Sequence, residues 1–486
     1  MPEVQGNALT TAARTPAEGG SPDFAAGMWA RMALSPAPRE APAEPVEAPG
    51  LRLALSLLEE GVLTGGTGRG PGAKAVPSAG AVYPYGFAVI TAERGAPALF
   101  RIDGDRRSCA RLATGPRIPK ALAASGLEAP ADGGAVIITL TRPWLSMRKY
   151  GDRGYLYTQI DAGHAVGNLL LASAGRGAEA LLSLRFPREP LSGLLEASGN
   201  YREVHSAVLV PAAAAGELRG SWTVHDESDR SLAAPTWQSW LEAACWESLS
   251  ARPDRPAPPR LPGAPAPLAG LRTGLPLSGG TDGLGAPDGW PALLAARSSS
   301  KAFAPGTVPA AAIRQAVAAL TTPVGTDLPA SSPLAATLVV RSAAEPEYNG
   351  VHPLTRHGKQ SAGTPSAEEV AQACMRQRPL AEAAAALLLH APRTALGGPR
   401  RRPDDGAGNL RELAFRCGAL GQLLYLGAAR SGTGVTGVGG FDSALWRSLA
   451  GLPQTEEILY VLLLGRPDES GAKLDRLSTA HAQNER

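Results

Sequence analysis

Cysteine is scarce in this chain of 486 residues. Its four cysteines, Cys109, Cys245, Cys374 and Cys417, lie far apart and without metal-ligand spacing. That pattern gives no ground for a zinc module or a disulfide framework, and a cytoplasmic protein with reduced thiols fits it. Long hydrophobic runs are missing too. None reaches the ~18 residues of a membrane span, and the first residues, MPEVQGNALTTAARTPAEGG, lack the basic-then-apolar order of a secretion signal. An excess of one charge is also absent. The 47 Lys and Arg residues against 44 Asp and Glu leave +3, which argues against nucleic acid as the main partner. What is plentiful is glycine, at 57, proline, at 44, and a globular hydrophobic content of 44%. The length exceeds one compact core, so two or three domains are expected.

The proline and glycine concentrate in two places. Residues 1–49 read as a flexible N-terminal segment, with a short amphipathic helix over FAAGMWARMAL, and residues 213–287 read as a Pro/Gly-rich linker. Between them, residues 50–212 contain a helix at LRLALSLLEEGVL, buried strands at YGFAVITA, GAVIITLT and HSAVLVP, and helical apolar spacing in YTQIDAGHAVGNLLLASAGRG. Residues 288–470 form a second unit, and 471–486 a polar tail. The two units are alike. GNLLLASAGRG from Gly167 and GQLLYLGAARS from Gly421 share Gly-amide-Leu-Leu, and each is followed by a Phe (Phe186, Phe441), a short helix and a last strand. This is the pattern of a tandem duplication of one α+β domain.

Four stretches hold chemistry-bearing residues. In PSAGAVYPYGF, the small residues Pro77, Ser78, Ala79 and Gly80 stand before an apolar strand, where something flat could approach the backbone. A turn before a core strand is the bland alternative. RSSSKAF packs Arg297, Ser298, Ser299 and Lys301 just before a helix, a set of donors suited to a phosphate, or else a solvated loop. In GTGVTGVGGFDSALW, Gly437, Gly439 and Gly440 permit close approach of a planar ligand, and Arg466 lies just past the last strand, placed to reach an anion. Lys149 and Tyr150 are adjacent. A Tyr beside a cation can serve as a base, but both side chains could face one ligand only from a loop or a bent strand, which Gly151 would permit. His164, on an apolar helix, reads as a hydrogen-bonded core histidine, and no metal site is arguable. The Gly-rich loops do not follow a strand as a nicotinamide fingerprint requires.

Taken together, PSAGAVYP, RKYGDRGYLYTQIDAGHAVGNLLLA, RSSSKAF and GVGGFD resemble the nitroreductase-like flavin proteins, and more narrowly the SagB-type azoline dehydrogenases. The resemblance implies two tandem nitroreductase-like domains, each a mostly antiparallel sheet flanked by helices. It also implies an FMN site at a dimer interface. One partner gives the Arg-Ser phosphate motif, the Gly-Gly-Phe segment and a late basic residue, and the other gives the Pro-Ser segment that lies along the flavin. Here those parts are split between the two units. The converse set is degraded: SLRF stands where VGGF would recur, and LPASSPLAATLVV where the Pro-Ser segment would. An intramolecular pseudo-dimer with one intact FMN site follows. Lys301 departs from the family, whose phosphate motif ends in Arg.

The activity implied is oxidation of thiazolines or oxazolines to thiazoles or oxazoles in a ribosomally made peptide, thiopeptide-like in kind. Tyr150 would act as base, with Lys149 lowering its pKa or holding it. The implied partners are an azoline-bearing precursor peptide and the cyclodehydratase of the same pathway, and a further homo-oligomer is compatible with the family. Two alternatives stay open: a general NAD(P)H-dependent nitroreductase or flavin reductase, and a flavin-free peptide-binding scaffold.

Overall fold

The computed structural model describes residues 43–63, 74–226, 237–250, 265–268, 283–329, 331–355, 363–396, 410–468 and 470. The helix expected over FAAGMWARMAL and the polar tail 471–486 lie outside the described residues. The first sheet contains Glu44–Pro45 (β1), Tyr85–Glu93 (β2), Ala96–Asp103 (β3), Ser108–Thr114 (β4), Ala135–Thr141 (β5), Leu181–Ser183 (β6), Glu203–Val210 (β7) and Thr223–Asp226 (β8). Their order is β1-β8-β4-β3-β2-β5-β7-β6. Ala266–Pro267 (β9) pairs with Pro323–Val324 (β10). The second sheet joins Ala335–Val340 (β11), Gly350–Pro353 (β12), Ala385–Pro392 (β13), Gly434–Val438 (β14) and Glu456–Gly465 (β15) in the order β12-β11-β13-β15-β14. Only the β4–β8 pairing is parallel among these strands.

The run β3-β2-β5-β7-β6 in the first sheet has the connectivity of β12-β11-β13-β15-β14 in the second. The repeat read from the two Gly-amide-Leu-Leu segments therefore extends to the sheets. Two pieces beyond residues 50–212 also join the first sheet. β1 comes from the Pro-rich approach to Pro49–Leu58 (α1), which a proline starts, and β8 comes from the stretch read as linker.

The helices that matter for the site are Trp144–Tyr150 (α2), Arg153–Gly175 (α3), Trp237–Ser250 (α4), Trp290–Ala296 (α5) and Leu410–Ser431 (α6). α3 and α6 are the two repeated segments, and they pack against each other at the centre of the molecule. Each is buried on all sides over most of its length, as a helix between two sheets must be. Their backbones touch through glycine. A Cβ at Gly418 would fall on the Ile160 carbonyl and lie 2.9 Å from the Gly163 Cα.

Strand alternation explains the remaining layers. On β2, Phe87 and Val89 point into the central core with α3 and α6, while Ala88 and Ile90 point outward to Ile118, Leu122 and Leu191. The second sheet does the same, with Trp446, Phe441 and Val370 on its outer face. Among the described residues no helix is long and apolar enough to cross a membrane.

Candidate active site

The loop before β2 is held from beneath by α3. Ser78 Oγ donates to Asp161 Oδ2 at 2.6 Å, and the Ala79 N–H reaches both Asp161 oxygens at 3.2 Å. Ser78 Oγ in turn accepts from the Tyr83 N–H at 2.8 Å. Asp161 is 3% exposed. Burial pushes its pKa up to about 7, although the Ser78 and Ala79 hydrogen bonds pull the other way.

Lys149 and Tyr150 are the last residues of α2. This differs from the loop or bent strand expected of them. The bend lies one residue later, where Gly151 adopts φ 59° and ψ −148°, a region open essentially to glycine. Gly154 then lets α3 turn back tightly, since a Cβ there would lie 2.5 Å from the Met147 Cα and N. Both side chains reach the same place. A Cβ on Gly80, itself at φ 61°, would fall on the Tyr150 hydroxyl and 2.5 Å from Lys149 Nζ. Lys149 Nζ stands 5.5 Å from the Tyr150 ring centroid. Gly80 is therefore small in order to admit the Lys149–Tyr150 pair.

Tyr157, one turn along α3, links this pair to the other half. Its ring meets Tyr150 edge-on at 5.2 Å, and its hydroxyl donates to the Gly439 carbonyl. Burial raises its pKa, so the phenol stays a donor. Arg153 adds a second link, its guanidinium 4.3 Å from the Phe441 ring centroid.

In the second half, Arg297 follows the end of α5, and the chain then runs extended beside β14, with the Ser300 N–H donating to the Val435 carbonyl at 2.8 Å. Arg297 is 4% exposed. Its Nε donates to the Ala75 carbonyl at 2.6 Å and its Nη1 to Ser299 Oγ at 3.0 Å, so it brackets the loop that leads to Pro77. Ser299 Oγ donates to the Tyr425 hydroxyl at 3.2 Å, and that hydroxyl accepts from the Gly437 N–H at 2.8 Å. Room beside Gly437 is taken by the Tyr460 hydroxyl, whereas a Cβ at Gly439 or Gly440 would meet nothing closer than 3.6 Å. Ser298, Ser299, Lys301 and Arg466 are exposed. Lys301 and Arg466 lie on adjoining segments, because Ala304 N–H donates to the Arg466 carbonyl and Asp468 N–H to the Ala302 carbonyl.

The site's base is a polar network across the central helices. His164 Nδ1 lies 3.1 Å from Gln422 Oε1 and its Nε2 3.1 Å from the Tyr460 hydroxyl. Burial lowers its pKa to about 3, so the ring is neutral. At the position equivalent to Gly440 the first half carries Arg185. Its guanidinium forms a two-pronged pair with Glu412 at 2.9 and 2.8 Å, and the Leu184 and Arg185 N–H groups donate to Asp327.

Residues 294–466 match the model of the Nitroreductase family. That match lies within the second half of the chain. No curated protein matches the chain. A protein from Anabaena variabilis, described as a nitroreductase, is 17% identical over 90% of this chain and 95% of its own, with a TM-score of 0.58. It shares the fold across both halves. The E. coli microcin synthetase McbBCD complex with truncated pro-MccB17 bound aligns at 12% identity over 43% of this chain and 84% of its own, TM-score 0.30. A nitroreductase from Desulfovibrio desulfuricans in complex with FMN aligns at 15% over 39% of this chain and 92% of its own, TM-score 0.26.

The second half thus meets the first through residues that sequence reasoning left unassigned. Asp161, Tyr157, Tyr425 and Tyr460 position the site; Tyr157 and Asp161 lie inside the stretch RKYGDRGYLYTQIDAGHAVGNLLLA without having been singled out, and Tyr425 and Tyr460 lie outside every quoted motif. Asp161 had one signal, a lone carboxylate in the middle of an apolar helix.

Proposed function

We propose that the chain is an FMN-dependent dehydrogenase that oxidises thiazolines or oxazolines to azoles in a ribosomally made, thiopeptide-like precursor. The observation that carries this reading is the meeting of Lys149 Nζ and the Tyr150 hydroxyl over Gly80, with Tyr157 joining them to Gly439 of the other half. The working unit is residues 50–212 paired with 288–470.

The residues fit the cofactor. Exposed Lys301 and Arg466 on adjoining segments, with Ser298 and Ser299, supply donors and positive charge for the phosphate. Lys keeps that charge without Arg's fork. Gly439 and Gly440 leave backbone open, and Pro77 to Gly80 offer the facing wall. FMN, when bound, would supply the hydride acceptor, with molecular oxygen as the terminal oxidant.

An azoline becomes an azole by losing a proton from one ring carbon and a hydride from the next. Tyr150 would take the proton, with Lys149 beside it to balance the charge. Arg297 and Asp161 hold the two walls in register, which is the positioning such a reaction needs. Arg185, locked to Glu412 at the equivalent of Gly440, fills the second pseudo-symmetric position, so one site per chain is live. The substrate reaches it after cyclodehydration by a partner enzyme in the cytoplasm.

The test is incubation of the flavin-loaded protein with a synthetic thiazoline peptide under air. Loss of two hydrogens by mass spectrometry is the expected result. No loss, together with rapid bleaching of the flavin by NADPH, would replace this reading with a general flavin reductase. A protein that takes up no FMN yet binds the peptide would replace it with a scaffold.

A further inference from the structure

Eight non-glycine residues among those described have a left-handed backbone. Arg94 and Arg107 sit in hairpin turns, and Glu196 and Tyr201 follow short helices. The other four adjoin the candidate site: Ala81 and Tyr83 beside Gly80, and the consecutive pair Met375 (φ 55°) and Arg376 (φ 60°). Such residues cost free energy and persist where the surroundings or function hold them.

Met375 follows the helix Ala367–Ala373 at the position where glycine is the usual stop. It does not gain from burial, being 61% exposed. The turn is nonetheless fastened to the site. Gln377 Nε2 donates to the Cys374 carbonyl at 2.7 Å and to the Gly440 carbonyl at 3.1 Å, and the Asp442 N–H donates to the Ala373 carbonyl at 2.8 Å. Met375 Cγ lies 3.6 Å from where a Gly440 Cβ would stand. An exposed thioether is thus held at the edge of the open Gly439–Gly440 backbone by a turn that would be less strained with glycine.

We infer that the turn Cys374–Gln377 is the substrate-side lip of the site, and that Met375 is its contact for a flat, heterocycle-bearing peptide. This rests on the functional reading above. A thioether is polarisable, packs well against flat rings and is unbranched, so it adapts to rings presented at different points of a peptide.

The experiment uses the full-length, flavin-loaded chain, with binding of a fluorescein-labelled thiazoline peptide read by anisotropy and stability by the thermal midpoint. Met375→Gly relieves the backbone and should raise the midpoint by about 1–3 °C while weakening peptide binding about tenfold. Met375→Leu keeps apolar bulk and should bind within about threefold of the parent. Arg376→Gly relieves strain one residue on and reports that effect apart from the thioether. Unchanged binding by Met375→Gly, or a midpoint that falls, overturns the inference while the functional reading stands. A parent protein that neither binds nor oxidises the peptide overturns both.

Discussion

Replacing Asp161 by Asn tests the loop anchor through the pH dependence of stability. The Asp161 carboxyl is buried and titrates at about 7 in the fold against an ordinary 3.8. Its folded pKa is raised, so between those values the folded state binds more protons than the unfolded one, and stability falls as pH rises. The cost is absent below about pH 4 and complete above about pH 7. A shift of this size corresponds to on the order of 4 kcal/mol. Asn is neutral throughout, and its carbonyl still accepts from Ser78 and Ala79. Asp327, also raised by burial, to about 6, is common to both proteins and cancels in the difference. Urea unfolding followed by tryptophan fluorescence at several pH values from 4 to 8 should therefore show Asp161→Asn gaining on the parent as pH rises. Two profiles that stay parallel would refute the reasoning, because the carboxyl would then not be buried against the loop as described.

Other outcomes follow from the same geometry. Tyr150→Phe should keep FMN yet lose roughly 10²–10⁴-fold in azoline oxidation, read by mass spectrometry of the peptide. Flavin released from the purified protein should amount to about one FMN per chain, and Arg297→Lys, which cannot bridge Ala75 and Ser299 with a fork, should lower that occupancy. Gly418→Ala puts a methyl onto the Ile160 carbonyl, backbone that cannot swing aside, so the thermal midpoint should drop by an amount matching about 1–3 kcal/mol of overpacking.

Much of the architecture was legible because it is written locally. Apolar spacing marked α3, alternation and short apolar runs marked β2, β5 and β7, and the matched Gly-amide-Leu-Leu segments marked the two helices that cross at the centre. The Lys149–Tyr150 pair was visible as residues, but its support was not. Adjacent side chains on a regular helix diverge, and it is the missing Cβ of Gly80 that leaves room for the far ends of both long side chains at one point. Arg297 reads as a free fork in sequence, whereas the fold gives it carbonyls more than two hundred residues away. Tyr157, Tyr425 and Tyr460 act through contacts between the halves, and no local pattern encodes those. The stretch read as linker contributes β8 and α4, because short strands and helices flanked by proline and glycine look like connection until a neighbour pairs with them.

The crossing of α3 and α6 within one polypeptide has a consequence for how the site responds to dilution. A site assembled from two separate chains loses a wall whenever its subunits part, so its occupancy falls with protein concentration. Here the walls carrying Gly80 and Gly440 are joined covalently, and their encounter is governed by the effective concentration that the connecting chain sets. Ligand retention should then be indifferent to how much of the protein a cell makes, and a ligand would be kept at copy numbers where a dissociating dimer would be half empty.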